Sequence, residues 1–449
     1  METTIGSTTL TRDQRDAYFD LLNADALAEL MRSTWTWDDR ALRRTLSELI
    51  TELTAVRELQ AGRVDCPAAV LQAAECRVLA SVGQFVAEVL GPRLLAAAGN
   101  TFRESLLPLV EATGALTAEA AGALDALAVE VTGHVIERAE SLSAILPEDR
   151  WEENAFGGAA TGVAQVAYSA GYLLADSDYF AAVGLGAQAL SIASSPTDTG
   201  IDGRHSTLAA AEKTGSWDPA LVRTRATATD TGWQLTGEKY FVPGAESAHR
   251  IFVIARNIGG PSLYLVERDA AGLIIDPLDT ADPARALARI TFENTPATLV
   301  GREGAGGRIM NQTVDRATTV LAAEQMGIID RALKCLSQVL PAATDSESWR
   351  GYTRKLAELE LLRACGTALW YRAVKLQDGN DSDTAAVAAA LAHIGCSNAV
   401  RQVAQRLASV GPDMDPAILT TIATRARHTD LLLGGPALSH ERLLERLGI

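Results

Sequence analysis

The spacing of hydrophobic positions along this chain changes twice. Between residues 38 and 62, Leu42, Leu46, Leu49, Ile50, Leu53 and Val56 recur three or four apart, the signature of one helix face. Residues 67–89, 101–110, 117–146 and 157–194 carry the same helical pattern, and Thr11 followed by Gln14 marks a capped helix start. From about residue 206 the period shortens. Runs of Leu, Val, Ile, Thr and aromatic residues alternate with turn signals over 221–228, 233–236, 239–242, 250–256, 262–267, 272–275 and 286–293. Asp230-Thr231-Gly232 and Gly237 punctuate them. The helical period returns over 309–340, 348–378, 384–410 and 416–432. The expectation is an α+β chain with an N-terminal helical domain (1–205), a middle antiparallel β-domain (206–300) and a C-terminal four-helix-type bundle (301–449).

Composition narrows the function classes. A chain of 449 residues holds two or three domains, and 47% hydrophobic with 21% charged residues is ordinary for a soluble globular protein. No apolar run is long enough to cross a bilayer, and the polar start shows no secretory signal, so a cytoplasmic location is expected. A net charge of −16 opposes a nucleic-acid partner but leaves room for a phosphorylated small molecule at a local cationic patch. Cys66, Cys76, Cys335, Cys365 and Cys396 lack paired spacing and are expected reduced, and the six His show no metal-ligand spacing. No G-x-S-x-G and no G-x-G-x-x-G occurs. The Gly-rich stretch 301–307 lacks a following G-K-[ST] and is expected to be a connecting loop.

Several anchors stand in register across some 45 residues of the β-region: Ala211-Glu212-Lys213-Thr214-Gly215-Ser216-Trp217-Asp218, then Gly237-Glu238-Lys239-Tyr240-Phe241-Val242-Pro243-Gly244, Ala248 and Ala255-Arg256. They resemble the T-E-P-G-x-G-S-D and G-x-K-x-W-I-T-N segments of the acyl-CoA dehydrogenase family. The opening Leu10-Thr11-Arg12-Asp13-Gln14 is similar to that family's L-T-x-E-Q. The tail Leu432-Leu433-Gly434-Gly435-Pro436 resembles the branch, known from actinobacterial steroid degradation, whose subunits lack the catalytic Glu. Read as structure alone, Gly434-Gly435-Pro436 is a helix stop.

The resemblance implies FAD as cofactor, an acyl thioester as substrate, and a homodimer, tetramer or heteromer with an acyl-CoA dehydrogenase homologue. It places Ala211, Glu212, Trp217, Phe241, Val242 and Pro243 at the cofactor, and Ser216, Asp218 and Gly434 at the substrate. It also exposes departures. Gly434 occupies the family's base position and cannot take a proton. Ala211 and Pro243 replace two threonines near the flavin, and Pro243 has neither hydroxyl nor N–H. The segment supplying a diphosphate Arg is replaced by residues 344–349, and the Q-x-x-G-G-x-G motif is reduced to residues 405–411. Glu324, an acid in an Ala/Leu-rich segment, is the candidate catalytic carboxylate, with a helix-surface or interface role as the plainer alternative. His428 and Asp430, two apart on one helix, are expected to face apart.

Three readings follow: an FAD-containing oxidoreductase with a relocated base, a fold-retaining enzyme without redox chemistry, and a non-catalytic partner subunit. The small residues Ala385, Ala388, Ala389 and Ala392 suit close helix packing, within the chain or between copies.

Overall fold

A computed structural model describes residues 9–95, 101–140, 159–176, 178–193, 205–338, 347–410 and 414–449. The Gly157-Gly158 pair, the loop 195–204, residues 344–346 and Gly411 lie outside them. The N-terminal part is helical: α1 Arg12–Leu21, α2 Ala24–Ser33, α3 Arg40–Gln60, α4 Ala68–Leu90, α5 Thr101–Glu140 and α6 Ala160–Leu173. A π-helical stretch, Phe180–Gly186, runs directly into α7, Ala187–Ala193. Thr11 caps α1 as expected, its hydroxyl accepting from Gln14 N–H while Gln14 returns a bond to the Thr11 N–H. The two helices expected over 101–110 and 117–146 are one helix, α5, with Pro108 inside it. A proline removes one backbone bond there, and the continuous apolar side, with Leu106, Leu109, Ala112, Leu116 and Leu127 buried, keeps the helix going.

Seven strands follow: β1 Ser206–Ala209, β2 Arg225–Thr229, β3 Gly232–Pro243, β4 Arg250–Asn257, β5 Gly260–Glu267, β6 Leu273–Leu278 and β7 Leu287–Val300. The order β4-β2-β3-β7-β5 returns to β4 and closes a small barrel, with β1 added beside β4 and β6 beside β7. The expectation of an antiparallel domain needs one correction. β1 lies parallel to β4, and the seam between β2 and β4 is a single parallel bridge, Arg225 to Arg256. Residues 221–224 are not strand. Asp218 caps a 3-10 turn over Pro219–Leu221 instead, because its carboxylate accepts from Ala220 N–H.

The C-terminal helices are α8 Gly306–Gln338, α9 Glu347–Gln377, α10 Ser382–Val410, α11 Pro416–Leu431 and α12 Gly435–Leu447. The Gly-Gly-Pro stop ends α11, and Pro436 then opens α12. Ala388, Ala389 and Ala392 are buried inside the chain's own helical core. α6 and α8 touch backbone to backbone: a Cβ at Gly171 would stand 2.1 Å from the Glu324 carbonyl, and one at Gly327 2.1 Å from the Tyr168 carbonyl. Glycine at both crossing points sets Glu324 against the π-helical stretch. No helix among the described residues is long and apolar enough to cross a membrane.

Candidate functional site

A cleft of about 700 Å³ opens between the β-barrel and the α11–α12 corner. Its barrel side consists of Ala211, Thr214, Gly215, Trp217, Phe241 and Pro243. The loop 278–282 and Leu287 form another wall, and Thr424, Arg427, His428, Leu431–Leu433 and Gly434 complete it. Local backbone geometry shapes two walls. β3 loses register with β7 between Lys239 and Val242, and in this bulge Phe241 adopts φ +56°. A bulky residue holds that left-handed conformation only under constraint from its surroundings. The result is an aromatic ring 43% exposed at the cleft, close to Gly215. On the opposite wall Leu433 (φ +58°) and Gly434 (φ +97°) turn the chain between α11 and α12. A Cβ at Gly434 would stand 2.7 Å from a Leu438 methyl.

Beneath the cleft lies a buried ionic cluster. Arg285 Nη2 donates to Glu324 Oε1 at 2.5 Å and the Tyr179 hydroxyl donates to Oε2 at 2.7 Å. Arg425 donates through Nε to Asp282 at 2.5 Å and through Nη1 to the Ala175 carbonyl at 3.0 Å, with Glu324 Oε1 3.9 Å from Nη1. Burial and the adjacent Glu324 carboxylate push the Tyr179 phenol well above its ordinary value, so it stays a donor. Burial opposes the charge on Arg285, but the Glu324 carboxylate outweighs it and raises the guanidinium. His428 lies between the two levels, lining both the cleft and the small void shared by Glu324 and Arg285. Burial pulls its imidazole down to about 4 against the Glu324 charge, so it is neutral near pH 7. Its ring nitrogens and the exposed Arg427 guanidinium have no hydrogen-bond or ion-pair partner among the described residues.

Of the residues singled out in the sequence, Ala211, Trp217, Phe241, Pro243 and Gly434 line the cleft. The others lie elsewhere. Glu212 faces inward, its Oε1 accepting from Lys239 Nζ at 3.1 Å, from Arg223 and Thr224 N–H at 2.8 Å and from the Thr224 hydroxyl. Burial alone would raise its carboxyl, yet Lys239 and the backbone donors hold it below the usual carboxylate range. Burial pulls Lys239 down to about 8 despite Glu212. Val242 packs into the barrel core. Ser216 and Asp218 are engaged locally, the Asp218 N–H donating to the Ser216 hydroxyl and the Asp218 carboxylate accepting from Ala220 N–H. Glu324 sits under the cleft rather than on its wall. Sequence reasoning passed over Arg427, which stands five residues before the Leu432–Pro436 tail. The 278–282 loop carries no signal of its own.

Residues 207–295 match the family model "Acyl-CoA dehydrogenase, middle domain". PigA, in a structure with FAD and proline, is 18% identical, with a TM-score of 0.60 over 73% of this chain and 96% of that one. The ChsE4–ChsE5 complex of Mycobacterium tuberculosis contains a chain 19% identical, with a TM-score of 0.57 over 74% and 97%. This chain has the acyl-CoA dehydrogenase fold. The bovine (Bos taurus) mitochondrial short-chain specific acyl-CoA dehydrogenase is 28% identical over 202 residues, 41% of this chain and 48% of its own length. The chain thus matches about half of that curated relative.

Within the acyl-CoA dehydrogenase fold the cleft suits one part of FAD and not another. Phe241 and Trp217 offer flat faces and the volume admits a fused ring. The diphosphate finds little. Among the described residues Arg427 is the one Lys or Arg on the cleft walls, and Asp279 and Asp282 share those walls. Pro243 offers no N–H, and its carbonyl already accepts from the Thr207 hydroxyl at 2.6 Å. The described residues of this chain do not by themselves fit the whole cofactor.

Proposed function

We propose that the chain works as a diverged acyl-CoA dehydrogenase-type oxidoreductase subunit of the FAD type, acting on an acyl thioester in an oligomer whose other chain completes the cofactor site. The observation that carries this is Phe241, held outward on a strained backbone at the mouth of a ring-sized cleft. Such strain persists where the surroundings enforce it, and it clusters at ligand sites. Arg427, without a partner among the described residues, suits a polar or anionic part of the same ligand. FAD in the PigA structure and the two-protein ChsE4–ChsE5 complex support the cofactor and the assembly.

Gly434 favours a second reading, a partner subunit without its own proton-transfer step. No proton acceptor stands at that point of the cleft, and Leu438 fills the space a side chain would need. Flavin absorbance and light-scattering mass, measured on the chain alone and co-expressed with an intact homologue, test both. Acyl-thioester-dependent bleaching of a bound flavin supports the oxidoreductase reading. Activity that appears only in the co-expressed complex, and survives Glu324→Gln and His428→Ala in this chain, supports the partner subunit. A colourless chain that transforms a thioester alone would instead support an enzyme without redox chemistry and overturn the FAD reading.

A further inference from the structure

A second cavity, sharing no residue with the cleft, lies among α3, α4, α9 and α10, with a volume of about 70 Å³. That is several times the space one water needs. Its surface is largely hydrocarbon, including Val56, Leu361, Leu362, Leu369 and Ile394. Three charged side chains also line it, and Glu48 of α3 is already held by Arg44 at 3.1 Å; the other two are Glu52 from α3 and Arg77 from α4. They lie on facing helices, yet they make no ion pair or hydrogen bond with each other or with any described residue. Both are partly buried. Burial raises the Glu52 carboxyl, and the Arg77 charge acts against that rise. Charged groups withdrawn from water without a partner cost free energy, so an unpaired anion and cation around an apolar space leave a binding requirement unmet. Cys365, also on the wall, is pushed up to about 12 by burial and contributes apolar contact rather than a thiolate.

We propose that this cavity binds a small aliphatic zwitterion of the α-amino-acid class. Its carboxylate meets Arg77, its ammonium meets Glu52, and its hydrocarbon side chain lies among Leu361, Leu362, Leu369 and Ile394. Opposite charges on facing walls select a ligand carrying both. A fatty carboxylate would leave Glu52 unpaired, and an alkylamine would leave Arg77 unpaired. The site is independent of the reading given for the cleft.

Calorimetric titration of the full chain with L-leucine, hexanoate and hexylamine tests the proposal. Leucine is expected to bind, and each single-charge analogue to bind at least about tenfold more weakly, the scale of one lost charge-assisted hydrogen bond. Glu52→Gln and Arg77→Gln should each weaken leucine by a similar factor, with unchanged circular dichroism. Phe241→Ala, in the cleft, should leave leucine affinity unaltered. No heat with leucine, equal affinity for hexanoate, or leucine binding that survives both charge substitutions would overturn it. Loss of leucine binding in Phe241→Ala would overturn the location.

Discussion

Replacing Glu324 by Gln is the substitution that separates a catalytic from a structural carboxylate. The geometry makes it mainly structural. The Glu324 and Arg285 side chains are 1% and 6% exposed, so neither charge has water to fall back on. One oxygen accepts from Arg285 and the other from the Tyr179 hydroxyl, and the carboxylate lies beneath the cleft rather than on its wall. A Gln amide keeps the shape but presents an N–H₂ to one of two donors, and it strands the Arg285 charge. Breaking one side of a buried ion pair costs about 3–5 kcal/mol. That is a large part of the roughly 5–15 kcal/mol that holds a typical domain folded.

Urea unfolding is the assay, followed by tryptophan fluorescence for the whole chain. Glu324→Gln should move the midpoint sharply down. Adding Arg285→Met should recover much of the loss, because removing both charges leaves neither uncompensated. The reasoning is refuted if Glu324→Gln unfolds within about 1 kcal/mol of the unmodified chain, or if Arg285→Met deepens the loss. A Gln variant of full stability that loses only turnover would restore Glu324 to the role of base.

Other substitutions probe the cleft and the core. Phe241→Ala should weaken a flat ligand about two- to twelvefold, the value of one aromatic contact, while Phe241→Gly should be the more stable of the two, because glycine accepts φ +56° without strain; ligand-quenched fluorescence and urea midpoints read these out, and unchanged affinity would remove the ring from the site. Gly434→Glu should cost about 1–2 kcal/mol for a non-glycine residue at φ +97°, plus displacement of Leu438, and should confer no activity by itself; a stable, active variant would contradict this. His393 is 1% exposed, neither ring nitrogen has a partner, and burial followed by the His440 charge holds it down to about 4, below the roughly 6.5 of an unfolded chain. The folded state therefore binds fewer protons, so the stability this site contributes is complete above pH 6.5 and is lost as pH falls through about 4; His393→Leu should flatten part of that decline in urea midpoint, and an unchanged slope would refute the assignment.

The hydrophobic period was enough to show the helix–barrel–helix order, because long segments with one buried face write their spacing into the chain. Leu42 to Val56 in α3 and the residues of β4 and β5 are examples. The same period could not show the parallel placement of β1, since a fully buried four-residue strand has no alternation to read. It also split α5 between residues 110 and 117, a stretch that contains Gly114, where packing overrides the local preference. The barrel side of the cleft was legible through the motif register to this extent: Ala211, Trp217, Phe241 and Pro243, which it grouped, line one surface. Glu212 was not, because an acid within a motif reads alike whether it meets a ligand or an internal lysine. The Tyr179–Glu324–Arg285 cluster joins residues 145 and 39 positions apart, and no local pattern encodes such a meeting.

The cleft and the chemistry that once suited it rest on different residues. Its shape comes from backbone features: the bulge that turns Phe241 outward, the αL corner at Leu433-Gly434, and the glycine crossing of α6 on α8. None of these needs Ala211, Pro243 or Gly434 to carry a functional group. Beneath it, Glu324 ties α8 to Tyr179 and to Arg285 on the loop leading into β7, while Arg425 ties α11 to Asp282 and to Ala175. The two pairs thus bind the helical layers to the loop that forms one cleft wall. A chain arranged this way can lose flavin contacts and a base one residue at a time without losing the pocket. On the proposed reading, the outward Phe241, the neutral His428 and Arg427, which has no partner among the described residues, are the groups a ligand in the cleft meets.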